Sequence, residues 1–183
     1  MNNSMLLEKY SQIMTICKYL YISSTLIGSL LCPLAANVIS QSEALTESIK
    51  SISLRKLDTS EQIHFKNEIV QKNLVLLFFS SENIFSQKII SVIQDIRAGI
   101  KNTDIQYFLI NNYDNDLILS SMVQKHVWTV PILIDEYNIA SNIFNIKSVP
   151  LVIVLNKGNA NISFKTNFSG TGILDLIHHI KSL

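Results

Sequence analysis

The stretch "LVLLFFSSENIFSQKII", Leu74 to Ile90, carries the two periodicities that decide the fold. Leu74 to Phe79 is an unbroken apolar run, the pattern of a central strand buried on both faces. Past the polar "SSEN", apolar side chains recur at intervals of three and four, at Phe85, Ile89, Val92, Ile93, Ile96 and Ile100, with Gln87, Lys88, Gln94, Asp95 and Arg97 between them. That spacing predicts an amphipathic helix laid on a sheet. At the junction, Asn83 is a good N-cap with Ser86 three residues on, and Glu82 suits the positive end of the helix dipole.

Upstream, "ISLRKL" (Ile52 to Leu57) alternates, "DTSE" supplies turn residues and "QIHF" (Gln62 to Phe65) alternates again, which predicts a hairpin. "KNEIVQKN" reads as a short polar connection. Downstream, "IQYFLIN" (Ile105 to Asn111) predicts a second buried strand, "NDLILSSMVQKH" a helix, "VPILID" a short strand and "EYNIASNIFN" a further helix. "VPLVIVLNKG", the alternating "ISFKTNF" and an amphipathic helix from about Thr171 complete the chain. Strands alternating with helices describe an α/β domain.

The amino-terminal region differs. Residues 1–18 are polar, and Tyr19 to Ser42 carries no charge over a length that exceeds the roughly 18 apolar residues needed to span a hydrocarbon core. It predicts a membrane anchor or a signal peptide, with an anchor favoured because the polar lead is long for a signal. Lys9 and Lys18 before it, opposed by Glu8 alone, keep the amino terminus cytoplasmic and place the downstream domain outside the membrane. Residues 43–50 read as a polar linker, and 51–183 as the domain. Cys17 and Cys32 both lie in or beside the apolar segment, so the exported domain contains no cysteine. Leu31 before Cys32 argues against a lipid-attachment box, which takes a small residue there.

The chain of 183 residues has 15 basic and 14 acidic side chains, and no cationic cluster stands out along it. Nucleic acid is not an expected partner. His64, His126, His178 and His179 show no metal-ligand spacing with a third ligand, and neither a metal nor any other cofactor is expected. Trp128 reads as a packing residue before a strand.

The order hairpin, apolar strand, helix, strand, helix, "PILIDEYNIASNIFNIKSVPLVIVLNKG", strand and final helix resembles the TlpA/ResA-like redoxins of the thioredoxin superfamily, over about Ser51 to Leu183. The resemblance implies a thioredoxin-like α/β fold, a central mixed sheet flanked by helices with an amino-terminal hairpin. Laid on the family's FWASWCGPC motif, Phe78 and Phe79 take the aromatic pair, Glu82 the second Trp, and Asn83 and Ser86 the two cysteines. Disulfide exchange needs an attacking thiolate and a resolving thiol, and neither Asn nor Ser supplies one. Leu77 stands where relatives often keep a polar or acidic residue.

Pro150 in "KSVPL" aligns with the family's cis-proline, which exposes the backbone of the preceding residue, here Val149, to an extended peptide. The resemblance therefore implies a binding groove at Phe79, Glu82, Ile84, Phe85, Val149 and Pro150, with no catalytic residue. It leaves two functional readings. One is a redox-inactive, membrane-tethered module outside the cytoplasm that binds or assembles a protein or peptide partner. The other keeps the family's thiol-disulfide oxidoreductase activity, in cytochrome maturation or envelope redox homeostasis, with thiols supplied by a partner. The absence of cysteine after Cys32 separates them and favours the first; it also argues against a peroxidase with a cysteine nucleophile.

Overall fold

The computed structural model describes residues 42–168 and 172–183. Of the apolar segment Tyr19–Ser42, only Ser42 falls among them, and so the anchor lies outside the described residues. No helix among the described residues is long and apolar enough to cross a membrane.

Residues 42–50 are helical (α1), where the sequence suggested a linker. Ile49 supplies the reason: it is 1% exposed and anchors the end of this otherwise polar segment in the core. The compact unit accordingly begins at Leu45 rather than Ser51. The predicted hairpin is formed by β1 (Ser53–Lys56) and β2 (Gln62–His64), paired antiparallel. The expected polar connection is instead a short helix, α2 (Phe65–Gln71), which buries only Phe65 and Ile69. Two anchors in two turns are too few for a legible period.

The strand β3 (Asn73–Phe78) is buried along its whole length and leads into α3 (Ile84–Gly99). After β4 (Ile105–Asn111) come α4 (Asp116–His126), β5 (Ile132–Ile134), α5 (Ile139–Ile143), β6 (Leu151–Leu155), β7 (Ile162–Thr166) and α6 (Gly172–Lys181). They form one mixed sheet in the order β2-β1-β5-β4-β3-β6-β7. The β3, β4 and β5 strands are parallel, while β6 runs antiparallel to β3.

Alternation along β3 splits the core between the two faces of the sheet. Val75, Leu77 and Phe79 pack with Ile89, Ile90 and Ile93 of α3 and with Leu176 and Ile180 of α6. Leu74, Leu76 and Phe78 pack with Ile49, Phe65, Ile69 and Phe144. Each fully buried large apolar side chain contributes about 1.5–3 kcal/mol. Leu77 is thus an ordinary core residue. The parallel strands place the β3–α3, β4–α4 and β5–α5 junctions at one end of the sheet.

Candidate functional site

Asn83 caps α3. Its backbone is extended, and its side-chain Oδ1 accepts from the Phe85 N–H at 2.9 Å and the Ser86 N–H at 3.1 Å. Two otherwise unpaired helix donors are satisfied by one side chain. Ser86 is fully buried, and its hydroxyl has no hydrogen-bond partner among the described residues. A serine without a positioned base is not an activated nucleophile.

A polar network that sequence reasoning missed holds the segment before the cap. Asn111, fully buried at the end of β4, donates from Nδ2 to the Phe79 carbonyl at 3.1 Å and also to Asp114 Oδ2. Its Oδ1 accepts from the N–H groups of Tyr113 (3.2 Å) and Asp114 (3.0 Å). Asp114 Oδ2 in turn accepts from the Ser81 N–H at 2.8 Å, and Gln87 Nε2 donates to the Ser81 carbonyl at 2.7 Å. The turn between β3 and α3 is therefore fixed from both sides. The available signal was the polar cluster "NNYDN", whose side chains favour local turns.

Phe79, expected at the binding face, is fully buried and makes an edge contact with Trp128 at 5.6 Å between ring centroids. It supports the turn from beneath and cannot touch a partner. Trp128 is a packing residue, also stacked with His126 at 5.6 Å. Glu82 is exposed. The outward apolar residues are Ile84 and Phe85, exposed by 68% and 46% in the first turn of α3.

On the neighbouring strand, Phe78 pairs with Leu151, and continuing that antiparallel register sets Pro150 beside Phe79 and Val149 beside Ser80. The Val149–Pro150 peptide bond is cis. Pro150 is buried and Val149 half-buried. Further along the same end stand Tyr113, Leu117, Ile118, Tyr137 and Ile139. With Ile84 and Phe85 they make seven of the twelve exposed large apolar side chains among the described residues, which concentrates exposed apolar surface at this end. The remaining histidines lie elsewhere; His179 stacks on Phe164 and sits 2.9 Å from the Ser163 hydroxyl.

No protein-family model and no curated protein matches the sequence. Solved structures do match in shape. MTB dsbF, described in mixed oxidized and reduced forms, is 16% identical with a TM-score of 0.63, over 74% of this chain and 96% of its own. A secreted Mycobacterium tuberculosis disulfide oxidoreductase homologous to E. coli DsbE is 14% identical, TM-score 0.63, over 75% and 98%. A thioredoxin-like protein from Aeropyrum pernix is 16% identical, TM-score 0.60, over 81% and 99%. The fold is thioredoxin-like, as the resemblance implied.

Proposed function

We propose that the protein is a thioredoxin-fold binding module, working outside the cytoplasm, that holds an extended segment of a partner protein or peptide without disulfide chemistry of its own. The observation that carries this reading is the pair Ile84 and Phe85, turned to solvent at a β3–α3 junction that has no thiol and whose Phe79 and Ser80 lie across from Pro150 and Val149. Apolar side chains grouped at an exposed rim mark a surface that an interaction partner can cover. The half-buried Val149 offers backbone to an added strand, and the apolar rim offers pockets for its side chains. The fixed turn supports the reading too, because a site held in place loses little entropy on binding.

Placement outside the cytoplasm rests on the apolar segment with its positive-inside bias, and on the secreted neighbour. The second reading, exchange with partner thiols, is favoured by the disulfide oxidoreductase among the neighbours. An assay of insulin-disulfide reduction by dithiothreitol separates the two. No acceleration by the full chain is expected, and acceleration that persists with Cys17 and Cys32 replaced by Ser would sink the non-enzymatic reading.

The direct test places a photo-crosslinking residue at Lys88, next to the exposed pair, in the full chain in its native membranes. One discrete adduct is expected. Phe85→Ser should abolish it while leaving thermal unfolding nearly unchanged, since surface substitutions stay within about 0.5 kcal/mol. An adduct indifferent to Phe85→Ser and Ile84→Ser overturns the proposal.

A further inference from the structure

At the opposite end of the sheet, where β3 and β4 begin, lies a cleft of 280 Å³ whose lining includes Lys72, Arg97, Lys101, Asn102, Thr103 and Tyr107. No carboxylate lines it. Among the described residues none of the three cations makes an ion pair. Arg97 donates from Nη1 to the Thr129 carbonyl at 3.0 Å, which fixes its guanidinium without neutralising it. Like charges gathered without a counter-charge repel one another.

Arg97 in the last turn of α3 and Lys101 just beyond it also complement the negative end of the helix dipole. That accounts for two of the cations. It does not account for Lys72, which arrives from the end of α2, nor for Tyr107. The Tyr107 side chain is 4% exposed, and its hydroxyl is buried without a hydrogen-bond partner. Burial pushes its pKa up from 10.0, opposed by the Arg97 charge, so the group remains a protonated donor at neutral pH. Neutral donors, three cations and no acceptor of matching charge form a one-sided arrangement.

We propose that this cleft binds a phosphate-type anion, held by Lys72, Arg97 and Lys101, with Asn102 and Thr103 donating around it. Arginine offers a planar fork matched to phosphate oxygens, and lysine offers a point charge. The same chemistry is presented by a free phosphate and by the diester head of an anionic lipid. Lys101 and Thr103 are exposed and Lys72 half-buried, so an anion reaches them from solvent, whereas Tyr107 is fixed on β4 at the floor.

Calorimetric titration of the purified full chain tests the proposal, with inorganic pyrophosphate in one arm and glycerophosphoglycerol in the other. Saturable binding in at least one arm is expected, weakened about tenfold by Arg97→Gln, the scale of one lost charge-assisted contact, and weakened by added salt. Lys101→Gln, at an exposed position outside the helix, provides a second variant should Arg97→Gln perturb folding. Lys181→Gln, on α6, is expected to change nothing. Binding of pyrophosphate alone assigns the site to free phosphates, and binding of the diester assigns it to a lipid head group. No saturable binding in either arm, an affinity unmoved by both cleft variants, or equal weakening by Lys181→Gln overturns the proposal.

Discussion

The two ends of the sheet present opposite chemistry. At the end where β3, β4 and β5 finish, helix starts are capped by side chains and the rim between them is apolar. At the end where β3 and β4 begin, the surface gathers cations around a buried hydroxyl. The difference arises from what each end must satisfy. Helix starts present N–H donors, which Asn83, Asn115 and Asp135 meet with side-chain oxygens, leaving the outward positions of the first turns free to carry Ile84, Phe85, Leu117 and Ile139. Helix ends present carbonyls and favour basic residues. Binding by area and binding by charge are thus separated along one sheet, and salt should weaken only the second.

The largest expected effect concerns the capped end. Asp135 is fully buried and accepts from the N–H groups of Ala140 (3.1 Å) and Ser141 (2.8 Å). Asp135→Ala removes two charge-assisted bonds and leaves buried donors unmet, so chemical denaturation should show a loss of about 3 kcal/mol. A loss below about 1 kcal/mol would mean that this cap does not organise the end. At Asn83 the cap is neutral and only half-buried. Asn83→Ala is predicted to cost about 1 kcal/mol, and a cost rivalling that of Asp135→Ala would erase the contrast between the two junctions.

At the opposite end, Val127 closes α4 in the left-handed region at φ 52° while 71% exposed. A β-branched side chain is disfavoured there, and glycine is the usual occupant. Val127→Gly is expected to stabilise by about 1 kcal/mol, since the left-handed region costs roughly that much for a residue with a Cβ. A destabilised variant would show that the exposed valine makes contacts that outweigh its backbone. The smallest effect is at Tyr107. Without anion, Tyr107→Phe should shift stability by less than about 1 kcal/mol at neutral pH, because it removes a buried hydroxyl that has no partner. The Phe variant gains on the wild type with alkali. The folded-state pKa is raised above that of the unfolded chain, so the wild type loses stability as pH rises past 10 and the Phe variant escapes that loss. Parallel alkaline unfolding curves would remove Tyr107 from the account.

Much of the α/β layout was legible because its signals are local. The apolar run at Leu74 to Phe79 and the period after it gave β3 and α3 to within a residue or two. Asn83 was readable as a cap for the same reason, since its partners lie two and three residues away. The helices at 42–50 and Phe65–Gln71 escaped notice because so few of their side chains reach the core. Phe79 was misplaced on the binding face. One residue of alternation decides which side of the sheet an aromatic joins, and in the run "LVLLFF" both sides are apolar.

Residue type and near neighbours in the chain were enough to set the order of the strands and of α3 to α6, the cap at Asn83 and the absence of any thiol after Cys32. Which groups meet was settled in three dimensions. Asn111 finds the Phe79 carbonyl and Asp114 finds Ser81 because β4 lies parallel to β3 in a fixed register, across separations of 32 and 33 residues. Lys72, Arg97 and Lys101 converge for the same reason. Short-range pattern records what a segment buries, whereas strand register, set by packing of the whole sheet, selects the partners that build a site.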